Sequence, residues 1–383
     1  MDHLPRQAPL LRVAHVTTGL EVGGAEMMLL RLLQAQRGRP VESHVYSLAG
    51  EGPLAEPIRK LGIPVTVAAR RGSAALAKLF AQLAQALHQR RFDVVQAWMY
   101  HANLASSLAA VRSGVPVVWS LHTSIITLGA RRPRTVALIR GMAPLSYTLP
   151  ARIISCSESS RKVHEECGYS AKKMVVVPNG FDTSLFKPDA DAAARVRQEL
   201  GLGEHVRLAG IVARFHPLKN HAGFFEAARS LVAQAPDVHF VLCGRGVSTD
   251  NAELMAMVDA SVRPRCHFLG PRGDVESLVS GLDFLISPSK GEAFPLALGE
   301  AMATGVPCVA TDVGDSALIV GDTGLIVPPG DSRALSAAIL KMLALPASAR
   351  RELGQKARAR VVSNFDMHSI AARYEAVHRA VVR

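Results

Sequence analysis

Asp283-Phe-Leu-Ile-Ser-Pro-Ser289 is a short apolar run that breaks at a proline. Glu292-Ala-Phe-Pro-Leu-Ala-Leu-Gly-Glu300 follows almost at once and opens a helix-like run ending near Thr304. Read together, they are a strand, a tight loop and the start of a helix. Such a junction exposes free backbone N–H groups and the positive end of the helix dipole, a setting that suits a diphosphate. Glu292 and Glu300 frame the junction and can accept hydrogen bonds from sugar hydroxyls on either side. The arrangement fits a sugar nucleotide.

The same strand–loop–helix grammar repeats along the chain. Leu11–Thr17, Glu42–Leu48, Asp93–Trp98, Pro116–Leu121 and Arg152–Ser157 read as strands, with amphipathic helices such as Ala25–Gln36 and Ala74–Gln89 between them. A second series begins after Phe181: Val206–Ala213, Val238–Leu242, Cys266–Leu269, Asp283–Ser287 and Pro307–Thr311. Continuous Val/Ile-rich strands suit parallel sheets covered on both faces, and the alternation is that of an α/β chain. Two Rossmann-like, doubly wound domains facing a central cleft are expected. The boundaries are residues 1–181 for an N-terminal acceptor-binding domain, 182–203 for a linker and 204–365 for a C-terminal nucleotide-sugar domain. Residues 366–383 form a terminal helix that packs back on the first domain. Ligands of open α/β sheets bind at the carboxyl ends of the strands, so strand-to-helix loops are where the chemistry is sought.

Composition narrows the function. The 383 residues suit two domains. Residues 1–180 hold 22 Lys and Arg against 10 Asp and Glu, which accounts for the whole net charge of +12. A basic first half points to an anionic partner there. Aromatics are only 5%, too few for a base-stacking nucleic-acid platform. The five cysteines lack CxxC spacing, which argues against a disulfide framework or a zinc site and for a reducing cytoplasm. The uncharged run from Ser113 to Ala130 contains Pro116 and His122 and reads as a buried strand plus loop, not a membrane span.

Four loops carry candidate chemistry. Gly23-Gly24, at a helix start after the first strand, lets backbone approach a phosphate closely. Arg214 and Lys219, in Val212-Ala-Arg-Phe-His-Pro-Leu-Lys219, are spaced to clamp two phosphates and to stabilise a departing nucleoside diphosphate. Leu242-Cys-Gly244-Arg-Gly246 and Phe268-Leu269-Gly-Pro-Arg272 could wrap a nucleobase and ribose with backbone groups. His122 and His101 each follow a first-domain strand. Asp312 and Asp315 make a poor metal pair, and no ligand cluster at metal spacing appears.

In this order and spacing the motifs resemble retaining GT-B glycosyltransferases of family 4, of the bacterial exopolysaccharide or lipopolysaccharide type. The resemblance spans nearly the whole chain and includes Pro178-Asn179-Gly180, Val309-Ala-Thr-Asp-Val-Gly314 and Gly324-Leu-Ile-Val-Pro-Pro-Gly-Asp331. It implies that Arg214 and Lys219 bind the donor diphosphate, with backbone N–H groups around Phe294-Pro295-Leu296 facing it. Glu292 would hold the donor sugar and Glu300 the ribose, while His122 would sit beside the sugar and Gly24 would allow close approach. The donor would be a UDP- or GDP-sugar, used without a metal or prosthetic group. Asp315 stands where many members carry a second glycine. Trp98-Met-Tyr-His101-Ala-Asn-Leu resembles the same bacterial branch, which implies a glycan or polyprenyl-diphosphate-linked acceptor.

His101 and the basic run Arg131-Arg132-Pro-Arg134 are the acceptor-side candidates. The basic run fits either the acceptor's diphosphate or an anionic inner-leaflet surface, placing the protein peripherally at the inner face of the cytoplasmic membrane. Two other readings keep the architecture: a non-hydrolysing sugar-nucleotide epimerase, which needs no acceptor, and a non-catalytic donor-binding subunit of a polysaccharide assembly complex.

Overall fold

The computed structural model describes residues 9–68, 73–126 and 133–382. The chain divides into two compact units. The first runs to Gly180 and takes back the chain from Met367 onward; the second is Phe181–Asp366.

The first unit is a seven-stranded sheet, wholly parallel, in the order β3-β2-β1-β4-β5-β6-β7. Its strands are β1 (Leu11–Thr17), β2 (Val41–Ser47), β3 (Val65–Val67), β4 (Val94–Trp98), β5 (Val117–Leu121), β6 (Arg152–Ser155) and β7 (Met174–Val176). The second is a six-stranded parallel sheet in the order β10-β9-β8-β11-β12-β13. These are β8 (Arg207–Val212), β9 (Val238–Cys243), β10 (Cys266–Phe268), β11 (Phe284–Ser287), β12 (Cys308–Thr311) and β13 (Gly324–Val327). Every residue of β4 and β5 is buried, as the unbroken apolar runs require of strands covered on both faces. Each sheet reverses its winding once, between β1 and β4 and between β8 and β11, and such a switch point opens a crevice for ligands. Edge strands β3 and β13 lie outside the expected series. They are short and half-buried, so they carry no long apolar signal.

Residues 182–203, expected to be a linker, are built into the second unit. The helix Ala192–Glu199 lies against Gly281, where a side chain would strike Val196 and the Ala192 carbonyl. Arg197 reaches Asp283 at 2.9 Å, and Asp189 N–H donates to the Ser280 hydroxyl. The amphipathic helix is short and its partners are remote in sequence, so the local signal was one of loop residues.

The terminal helix Met367–Arg379 completes the first core. Tyr374 stacks on Trp98 with ring centres 5.9 Å apart. His378 bonds Gln96 at 2.8 Å, and Glu375 pairs with both Arg39 and Arg379. Trp98 Nε1, which can only donate, reaches His15 Nδ1 at 3.3 Å. His15 therefore carries its proton on Nε2, toward the Ser43 hydroxyl. Burial lowers His15 to about 3 and His378 to about 4.

Both imidazoles are thus neutral when folded but bind protons near pH 6.5 when unfolded. Their contribution to stability is complete above that value and is lost as pH falls through it toward 4. The melting temperature should fall steadily from pH 7 to pH 5, and His15→Asn, which keeps an acceptor for Trp98, should flatten that slope. A melting temperature independent of pH over this interval would contradict the assignment.

Candidate active site

The second switch point is held shut by two loops, one after β8 and one after β11. After β8 the chain runs through Arg214 and His216 into a single 3-10 turn, Pro217–Lys219. Asn220 then takes a left-handed conformation, φ 54° and ψ 45°, and caps the helix His221–Leu231 by accepting from Gly223 N–H. Left-handed backbone is tolerated best by Asn among side-chain-bearing residues. The same carboxamide donates to the Pro288 carbonyl at 3.1 Å, and Lys290 N–H donates to the Leu218 carbonyl at 2.8 Å. The two loops are therefore tied together beside Lys219.

Lys219 Nζ reaches Glu292 Oε1 at 2.5 Å, and the buried Ser289 hydroxyl donates to the same oxygen at 2.8 Å. Behind Glu292, Pro295 is the N-cap of the helix Leu296–Ala303. Its N-cap residue, a proline, has no side-chain acceptor for the helix's first amides. A shallow pocket, open to solvent, is lined by Ile211, Ala213, Lys219, Ser289, Glu292 and Leu296.

A third loop, after β12, supports Glu292 from below. Gly314 has φ 58°, and a Cβ there would lie 2.4 Å from the Glu292 carbonyl oxygen. Asp315 N–H donates to the Ala293 carbonyl at 3.1 Å. Thr311 Oγ1 donates to the Ser289 carbonyl at 2.6 Å. Gly244, with φ 150°, is confined by the Ala213 carbonyl, 2.2 Å from where a side chain would begin. Arg214 is exposed and makes no ion pair among the described residues.

The phenyl ring of Phe294 is buried between Phe181 and Phe365, so only its backbone is available to a ligand. Gly299 is imposed by that cluster, because a Cβ would lie 2.0 Å from the Phe181 ring. Glu300 is buried within the helix, and Leu269 is half-buried after β10.

In the first unit, His122 follows β5, its ring stacked on Trp98 at 5.3 Å. Both ring nitrogens are buried. Burial lowers the imidazole to about 4, opposed by the Asn179 carboxamide alongside.

The family model for glycosyl transferases group 1 matches residues 206–344, and that for glycosyltransferase family 4 matches residues 22–185. The chain belongs to glycosyltransferase family 4. The transferase is 25% identical over 246 residues to the UDP-Gal:alpha-D-GlcNAc-diphosphoundecaprenol alpha-1,3-galactosyltransferase of Escherichia coli, covering 63% of this chain and 64% of that one. It is 27% identical to the N-acetyl-alpha-D-glucosaminyl L-malate synthase of Bacillus anthracis, covering 74% and 72%. Its fold superposes on Anabaena HepE, crystallised with UDP and glucose, with a TM-score of 0.83 at 24% identity, covering 97% of this chain and all of that one. The fold is GT-B. The epimerase and the non-catalytic subunit are not favoured by these matches.

The remaining candidates of the transferase are scattered over the first unit. Gly23 caps the helix Gly24–Ala35 in extended backbone, and a side chain on it would strike the Glu26 carboxylate. Gly24 faces open space. His101 is exposed in the first turn of the helix Tyr100–Ala110, and Arg134 is exposed at the start of Pro133–Leu145. Arg131 and Arg132 lie outside the described residues.

Ser289, Asn220 and Thr311 were not anticipated as part of the site. Asn220 had a signal, an Asn directly before a helix. Thr311 bonds across to the loop after β11, and Ser289 reaches Glu292 three residues on; neither had a recognisable motif.

Gly314→Ala should push the Glu292–Ala293 backbone away and break the Asp315 N–H bond to the Ala293 carbonyl. The expected cost is about 1–3 kcal/mol in denaturant unfolding, with faster amide hydrogen exchange over residues 289–297 than elsewhere in the second unit. Unchanged exchange there would show that the loop does not rest on Gly314.

Proposed function

We propose that this glycosyltransferase moves a sugar from a UDP- or GDP-sugar to a glycan or polyprenyl-diphosphate-linked acceptor, with retention of anomeric configuration. The observation that carries the reading is the Lys219–Glu292 pair in front of a helix N-terminus at a strand switch point. The donor diphosphate would lie on the amides that begin Leu296–Ala303, with Arg214 and Lys219 offsetting its charge as it leaves. Lys219 is held by Glu292 until phosphate oxygens compete for it. Glu292 then accepts from sugar hydroxyls, and Glu300 from the ribose. Gly244 and Leu269 border the nucleoside through backbone groups, and Gly23 and Gly24 leave room for a close approach.

In the transfer step the bond from the anomeric carbon to the phosphate oxygen breaks, and the bond to the acceptor oxygen forms on the same face. The acceptor's proton passes to the leaving phosphate. His122, neutral at physiological pH, would border the sugar without adding charge.

The named substrate of the E. coli relative is diphosphoundecaprenol-linked, which supports a lipid-linked acceptor here. The basic surface, with Arg112, Arg134 and Arg140 exposed, fits its diphosphate and a peripheral place on an anionic membrane face. No helix among the described residues is long and apolar enough to cross a membrane.

Transfer assayed with a donor panel and lipid-linked acceptors should fall about 100-fold in kcat/KM for Lys219→Ala, the scale of losing one transition-state donor. Glu292→Ala should fall at least about tenfold. Turnover should persist in EDTA, and donor alone should give no epimer. Unimpaired transfer by both variants would refute the site.

A further inference from the structure

Met99 follows β4 at the switch point of the first sheet and holds φ 70° and ψ 170°. A positive φ on a bulky residue is uncommon and strained, so it persists only where its surroundings impose it. Two backbone bonds hold it here, and the Asn103 carboxamide, in the orientation that satisfies its neighbours, adds two more. Met99 N–H donates to the Ser120 carbonyl at 3.1 Å, and Asn103 N–H donates to the Met99 carbonyl at 2.8 Å. With its amide nitrogen turned to the carbonyls of Ala97 and Met99, the Asn103 side chain lies 3.1 Å from each. Asn103 is itself fully buried.

Neighbouring bonds extend the network. The Ser107 hydroxyl donates to the Asn103 carbonyl at 2.8 Å, and Trp119 Nε1 donates to Ser107 at 2.9 Å. The turn that results carries the Met99 sulfur to 3.3 Å from His122 N–H. Trp98, the residue before the turn, provides the face on which the His122 ring stacks. His122 is thus supported through its backbone by Met99 and through its ring by Trp98, the two residues on either side of the strained bond.

We propose that Asn103 is a positioning residue for sugar transfer: it locks the left-handed turn at Met99 and so fixes the His122 imidazole. This rests on the reading of His122 given above. The Asn103 carboxamide touches no substrate; its two N–H groups hold the carbonyls on either side of Trp98. An aspartate at the same position has the same shape but presents only acceptors to those carbonyls. The turn would then be free to relax to negative φ, moving the sulfur and the indole that seat the ring.

Asn103→Asp and Asn103→Ser are made in the full chain and compared with His122→Ala, which identifies the His122 ring resonance by its disappearance. Asn103→Asp should lower kcat at least about tenfold, shift that resonance and leave UDP affinity within about twofold. Asn103→Ser, which keeps one donor, should fall between it and the parent, and it carries the test if the aspartate variant does not fold. An unmoved resonance with kcat within twofold, in either folded variant, overturns the proposal. Full turnover by His122→Ala would instead overturn the role of His122, and the resonance shift would still decide whether Asn103 seats the ring.

Discussion

The Asn220 carboxamide spans two loops that leave the sheet on adjacent strands. It accepts from the helix it caps and donates to Pro288 on the other loop. An Asn can do both because one end of its amide accepts and the other donates. Lys219 stands directly before this clamp, and Glu292 lies four residues beyond the carbonyl it holds. Their separation is consequently set by backbone and buried amide, not by their own charges. A pair in partial burial needs that support, since desolvation offsets much of its attraction. The post-β12 loop adds a floor through Gly314 and Thr311.

The fold was legible wherever burial on both faces wrote itself into the sequence. β1 was read as Leu11–Thr17 and occupies those residues; β8, β9 and β11 differ by a residue or two at their ends. What escaped depends on partners far away in the chain. The helix Ala192–Glu199 is fixed by Arg197 on Asp283 and by the absence of a side chain at Gly281, and neither contact has a local signature. The site shows the same division. Arg214, Lys219, Glu292 and Glu300 could be picked out because charged residues stood in or beside apolar runs. That Lys219 and Glu292 would meet could not be read, because 73 residues separate them. Phe294 was read through its backbone N–H alone, and that its ring joins the aromatic cluster of Phe181 and Phe365 had no local signal.

The two units handle polar groups differently. In the second, charge lies at the switch point, where Lys219 meets Glu292. In the first, the switch point is surrounded by neutral groups: the rings of His15, Trp98, His122 and Tyr374 and the amides of Gln96 and Asn103. The first-unit groups are buried and bond one another, whereas Lys219 and Glu292 line an open pocket.

The return of Met367–Arg379 to the first sheet bears on how a cell makes this protein. Tyr374 and His378 fill the interior of a unit whose other strands all precede residue 181. While the ribosome synthesises the second unit, roughly 10–40 s at ordinary elongation rates, the first lacks its last helix and leaves Trp98 and Gln96 uncovered. The nascent chain therefore carries an incomplete core throughout that interval. Synthesis of Met367–Arg379, rather than completion of the first sheet, is the step after which the N-terminal half can close.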